Sequence, residues 1–334
     1  MRTQVRTEGW ALAATALLLM SIDAVRAAES AGLEVESKIS LGQVRGRIDH
    51  LAIDLDRRRL FVAELGNDSV GVVDLHERRT IRTLTNLQKP QGIGYVPSTD
   101  TVYVANARDG SVRLFQGANL VPIGQIPLGD DADNVRVDDA AHRVFVGYGN
   151  GALAVIDAST QRKVADIRLK AHPESFQLHP SSERIFVNVP EAGEIAVVDS
   201  GVNRQVAAWS TDSLHANFPM ALAEPHQKVL AIFRHPSKMG VFGAQNGRML
   251  TSIDTCADAD DVFFDAKRDR VYVSCGEGFL QVFVAQGEHY ADLGRVVTVP
   301  GARTSLFVPG LDRLLLAVRA AGQTPASIWV FRPQ

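Results

Sequence analysis

Apolar residues along this chain come in short bursts that end at a polar or small residue and recur at a near-constant interval. Residues 102–106 read VYVAN, and the same rhythm returns at 60–64 (LFVAE), 144–148 (VFVGY), 185–189 (IFVNV), 229–233 (VLAIF), 271–275 (VYVSC) and 314–318 (LLLAV). The first residues of these seven phrases lie 42, 42, 41, 44, 42 and 43 positions apart. Strand-like runs at a period of about 40 to 50 residues are the mark of a β-propeller. Seven phrases predict an all-β, seven-bladed β-propeller with four-stranded blades.

Each period divides the same way. Residues 49–55 (DHLAIDL) predict an inner strand, 56–59 a polar hairpin turn, 60–64 a second strand and 70–75 (VGVVDL) a third, and 80–84 (TIRTL) closes the blade. The order returns at 91–97, 102–106, 112–115 and 121–128, and again from Asp133 and from Glu174. Asp109-Gly110 and Asn150-Gly151 fall between second and third strands, where a tight hairpin needs positive φ. Asp74, Asp157 and Asp199 end third strands, where a carboxylate bonds turn backbone, and they are read as structural. The fifth period is irregular, with Pro219 inside its first strand. The seventh lacks a fourth strand, and residues 33–41 (LEVESKISL) have the alternation to supply it. The last blade is therefore expected to be closed by the N-terminal strand, which removes free sheet edges.

Composition changes this picture little: 334 residues, 46% hydrophobic and 22% charged, fit one globular domain at 28–334. Residues 1–27 read as a signal peptide, with Arg2 and Arg6 ahead of an apolar run at 10–20 that is short for a bilayer span, and Val25-Arg26-Ala27 at the cleavage site. An uncleaved anchor is the rival reading. Cleavage moves the formal charge from −3 to −4, since three arginines leave with two acids. No general nucleic-acid binding is expected from so slight an acidity. A periplasmic or secreted monomer, with no membrane span after cleavage, is expected. In such a compartment Cys256 and Cys275 are a disulfide candidate, with two buried thiols as the competing state.

The phrases VYVAN followed by GSVRLF (110–115), and LFVAE followed by SVGVVDL (69–75), resemble the YVTN-type repeat of bacterial seven-bladed β-propellers, the YncE-like group. The resemblance covers residues 33–334, is closest in periods one to four, and weakens in five and seven. It implies architecture and export. It carries no catalytic residues, because members share no single reaction. The GH and WD marks of WD repeats are absent, Trp209 and Trp329 stand isolated, and no CxxCH, GxSxG, HExxH or GxxxxGK[ST] occurs.

Propeller ligands sit where the loops leading into the inner strands converge. Eleven residues before each second strand stand Asp49, Gln91, Asp133, Glu174, Phe218 (beside Asn217), Asp260 and Arg303. The bland account is a solvated polar funnel. The functional one gathers Asp49, Asp133, Glu174 and Asp260, with Asp261, around a cation or a cationic ligand, and Arg303 against a ligand carboxylate. No cofactor is required, and a divalent cation, Ca or Zn, is the candidate. His50, His172 and His215 share these loops and have the chemistry for a transition metal, from blades that are far apart. The loops after the second strands add Glu64, Asn67, Asn106, Arg108, Tyr148, Arg234, His235 and Arg319 on the same face.

The leading expectation is an exported binding or interaction propeller. Its mouth would take a protein, peptide or small polar ligand through Asp49, His50, Glu64, Gln91, Asn106, Asp133, Tyr148, Glu174, Asn217, Asp260 and Arg303, without catalysis. The alternatives are a metal-dependent hydrolase or lactonase like gluconolactonase, whose propellers have six blades, and a lyase using a funnel histidine.

Overall fold

A computed structural model describes residues 31–334, and the leader expected at 1–27 lies outside them. Seven four-stranded antiparallel sheets make up the described chain, each pairing consecutive strands except the last. The architecture is a seven-bladed β-propeller. Its inner strands are Leu51–Asp54, Pro90–Val96, Ala132–Asp138, Phe176–Leu178, His215–Ala223, Ala259–Asp265 and Thr304–Val308.

Every apolar phrase is the second strand of a blade, from Arg59–Glu64 to Arg313–Val318. These strands read as near-continuous apolar runs because a blade is covered on both faces by its neighbours, so alternation has no solvent side to report. The core accordingly lies between blades. Tyr103, Val112 and Leu114 of blade two pack with Val135, Val144 and Val146 of blade three, and Leu230 and Ile232 of blade five pack with Val262, Val271 and Val273 of blade six. Outer strands such as Arg162–Arg168 are mostly exposed.

The seventh blade closes as its missing strand requires. Leu33–Gly42 pairs antiparallel with Ala326–Pro333, with Leu33 opposite Pro333 and Ile39 opposite Ile328. In blade five, Pro219 sits at a register shift between Asn217 and Met220, where a missing N–H breaks no ladder bond. The Asn188 amide donates to the carbonyls of Phe218 and Pro219 there. Turn chemistry follows expectation: Gly110 has φ +58°, and Asp74, Asp157 and Asp199 each accept backbone N–H groups of their own turns.

On the face away from the channel mouth, hairpins reach from blade to blade. Arg57 bonds Asp100, Ser98 bonds Asp139, Ser181 bonds Glu224, His226 bonds Asp269, and Arg268 with Lys267 bonds Asp312. Ser98, Asp139 and His142 come together in this belt, but the carboxylate takes the serine hydroxyl, at 2.5 Å, and the imidazole lies 3.4 Å from the same oxygen. A nucleophile triad needs the acid on the histidine instead.

Cys256 and Cys275 are bridged, with Cα atoms 5.8 Å apart, and both are buried. The bridge fastens the loop entering blade six to the end of that blade's second strand.

Candidate functional site at the channel mouth

The loops leading into the seven inner strands surround a cavity of about 800 Å³ at the mouth of the channel, lined by residues from every blade. Of the positions singled out in the sequence, Gln91, Asp133, His172, Glu174, Phe218, Arg234, Asp260 and Arg303 line it. The rest of the wall comes from Arg47, Asp130, Asp131, Lys170 and Glu191, among others.

Asp49 and His50 lie deeper. Asp49 is 1% exposed, and its carboxylate meets Arg47 Nη2 at 2.9 Å. His50 sits between two acids, 4.0 Å from Asp49 and 3.9 Å from Asp261. Asp261 accepts the Ser305 N–H at 2.8 Å. Burial pushes Asp49 and Asp133 up to about 6 and Asp261 up to about 7, and His50 opposes the rise at all three. Glu174 is raised as well, by burial first. Burial works against the charge on His50, but Asp49, Asp261 and Asp133 outweigh it and lift its pKa.

Four expected mouth residues are not there. Glu64 is buried and takes the Ser69 hydroxyl at 2.5 Å, with its side chain packed over Gly71. Asn106 is fully buried, donating to the carbonyls of Val104 and Ser111 and accepting the Gln88 N–H. Asn217 is fully buried too, donating to Asn188 Oδ1 and the Glu194 carbonyl. Tyr148 turns to the outer strand and donates to Asp166. Glu64 and Asn106 point into their own blades, Asn217 bonds the neighbouring blade, and Tyr148 bonds the outer strand of its own.

The three loop histidines also separate. His172 is at the rim, its Nδ1 2.6 Å from the Gly149 carbonyl oxygen. His215 is exposed and pairs across its hairpin with His235. Among the described residues, one group of three His, Cys, Asp or Glu side chains brings its ligand atoms within 4.8 Å of one another: Cys256, Cys275 and Glu277. Its two sulfurs are spent in the disulfide. The carboxylates of Asp49, Asp133, Glu174 and Asp260 are not drawn together as such a group.

Charge at the mouth is instead sorted by blade. Arg47, Arg234 and Arg303 occupy the wall made by blades one, five and seven. Arg234 reaches Asp260 at 3.0 Å and Asp258 at 3.6 Å. Arg303 meets the same two carboxylates, Asp260 at 3.0 Å and Asp258 in a close contact. The Arg234 guanidinium also lies 4.0 Å from the centre of the Phe218 ring. The opposite wall, from blades three and four, carries Asp130, Asp131, Asp133, Glu174 and Glu191. Beside these acids stand His172, 4.0 Å from Asp131, and Lys170, drawn away in a close pair with Glu194. Asp133 Oδ1 is buried with no hydrogen-bond partner.

Sequence reasoning overlooked Arg47, Asp131 and Asp258. A signal was present: they lie two residues before Asp49, Asp133 and Asp260, and His172 stands in the same relation to Glu174. Read in register, that earlier position is a second ring of the mouth.

No family model matches the chain, and no curated protein does. Among solved structures it is similar to a chain in "Crystal Structure of Mitotic Checkpoint Complex", with a TM-score of 0.74 and 10% identity over 88% of this chain and 91% of that one. At that identity the likeness is one of fold alone. The fold is an interaction scaffold in many proteins and does not name a ligand.

Proposed function

We propose that this chain is an exported binding propeller of the YVTN-type group, which uses the channel mouth to hold a polar ligand and performs no chemistry on it. The observation that carries this reading is the mouth itself: a cavity of about 800 Å³, walled by charged side chains of both signs and reached by loops of all seven blades. A volume in the range of about 300 to 1,000 Å³ suits a small molecule or a few residues of a peptide. Export is supported by the leader pattern at 1–27 and by the Cys256–Cys275 bridge, since disulfides persist in oxidising compartments.

The test is a thermal-shift screen of the purified protein against polar metabolites of both charges. The same screen is run on a variant carrying Asp133→Asn and Glu174→Gln. Ligands that stabilise the native protein and lose their effect on the variant support the reading. A screen whose hits are indifferent to those two substitutions, or a hit that is turned over, sinks it.

A further inference from the structure

The arginines and the lysine that line the mouth already have partners. Arg47 holds Asp49 at 2.9 Å, Arg234 and Arg303 each reach Asp260 at 3.0 Å, and Lys170 makes its close pair with Glu194. The acids on the wall of blades three and four do not. Of Asp130, Asp131, Asp133, Glu174 and Glu191, only Asp131 has a basic nitrogen within 4.0 Å among the described residues, that of His172. His50 and His172 favour the charge on Asp133 from farther off, and with Arg234 they favour it on Glu174. Both carboxyls nevertheless stay above their ordinary values, Asp133 at about 6, so these neighbours offset burial only in part.

The same wall is short of hydrogen-bond donors. Asp133 Oδ1 is buried with no partner. His172 Nδ1 stands 2.6 Å from the Gly149 carbonyl oxygen, which can only accept, so Nδ1 carries the proton and Nε2 of the neutral ring is left as an acceptor. With Lys170 drawn to Glu194, five carboxylates and one imidazole nitrogen await donors. No three of these carboxylates bring oxygens within 4.8 Å of one another. Their negative charge therefore runs along the wall and is not focused at one point.

We infer that the ligand of the mouth is a linear organic oligoamine, its ammonium groups spread along Asp131, Asp133, Glu174 and Glu191. An ammonium has three donors and no acceptor, which matches a wall made of acceptors. Two or more charges on one chain match carboxylates delivered by the loops of two blades. An anion would face those acids while the arginines opposite are held by Asp49, Asp258 and Asp260. This inference rests on the reading of the mouth as the binding site and adds the chemical class of what it binds.

Calorimetry on the purified protein tests it, with butylamine, putrescine and spermidine as probes and with calcium and succinate as controls. Putrescine is expected to bind at least about tenfold more tightly than butylamine, a difference of about 1.4 kcal/mol. Spermidine should bind more tightly again, and added salt should weaken both. A variant carrying Glu174→Gln and Glu191→Gln should bring both oligoamines down to the level of butylamine, with its thermal melt showing that the fold survives. Oligoamines that bind no more tightly than butylamine, or that are indifferent to the two substitutions, overturn the inference. Succinate binding as tightly as putrescine overturns it too, and calcium binding more tightly than spermidine does so in favour of a metal site. If no amine binds, the inference fails while the reading of the mouth is judged separately. Other hits of the metabolite screen that are lost with Asp133→Asn and Glu174→Gln would keep the mouth as a binding site for another class of ligand, and a screen without such hits would end both.

Discussion

The backbone N–H of Gln334 donates to the carbonyl of Gly32 at 2.9 Å, so the last residue of the chain is bonded to one of its first described residues. Arg270 of blade six clasps the same junction, its Nη1 donating to the Gly32 and Gln334 carbonyls. Ring closure thus has a backbone ladder and a side-chain lock. Deleting residues 33–41 removes the outer strand of blade seven along with Ile39 and Leu41, which are buried in the core between blades seven and one. The expected outcome is loss of the whole domain's cooperative melt by calorimetry, and an unchanged melting curve would refute the closure as a source of stability.

Removing the Cys256–Cys275 bridge should destabilise the protein without unfolding it. The bonded residues are 19 apart in sequence, and closing a loop of that size is worth about 3 kcal/mol in the chain-entropy model. Paired Cys→Ala variants are expected to lose about that much in denaturant titration. Thiol counting on denatured, unreduced protein from its native compartment should find none.

Stability should fall as pH rises from about 4 to about 7. Asp261 near 7, with Asp49 and Asp133 near 6, sits above the ordinary aspartate value of 3.8. Between those values the folded chain holds protons that the unfolded chain has released, so raising the pH favours unfolding. His50, lifted above 6.5 by its acids despite burial, has the same sign: its contribution is present below 6.5 and is lost as pH climbs through the folded value. Asp261→Asn should flatten this slope, and at pH 8 should stabilise by roughly 1 to 3 kcal/mol. Thermal midpoints across the pH range provide the check, and a steeper slope in the variant would contradict it.

On the far face, Asp312 accepts from Lys267 and from both terminal nitrogens of Arg268, and these bonds depress its pKa. A depressed carboxyl contributes above its unfolded value and loses that contribution as pH drops below it. Asp312→Ala is expected to cost about 1 to 2 kcal/mol at pH 7 and measurably less at pH 2, where the depressed carboxyl is partway through losing its advantage. Equal losses at both values would show that packing, and not charge, is responsible.

Gly92 links the scaffold to the mouth. A Cβ at this position of blade two's inner strand would fall 2.0 Å from the carbonyl oxygen of Asp133. Backbone, and not a flexible side chain, would have to give way. Gly92→Ala should therefore lower stability by about 1 to 3 kcal/mol and weaken Asp133-dependent ligands in the thermal-shift screen. A variant that binds them at full strength would mean the Asp133 carboxylate tolerates the shift.

The blade pattern was legible because strands covered on both faces must be apolar throughout, and VYVAN and its six relatives report that burial directly. Closure was legible by counting strands. The mouth was half legible. The position that yields Asp49, Asp133, Glu174, Asp260 and Arg303 follows from period alone, but strand-end residues such as Glu64 and Asn106 face into the blade, and their orientation depends on which partners the sheet offers them. Arg234 against Asp258 and Asp260, or Arg319 beside Arg47, joins residues of different blades. Those encounters are set by the curvature of the ring, which no local run of residues encodes.

The clasp between Gly32 and Gln334 also fixes how the molecule can be attached to anything else. The strand that begins at Leu33 runs toward the mouth and the one that ends at Pro333 runs away from it, so both chain ends leave from the far face. Any tether ahead of residue 31, or any fusion behind Gln334, would hold the propeller by its back and aim the charged cavity outward. A surface bearing this protein by either end would present the same open side to its surroundings.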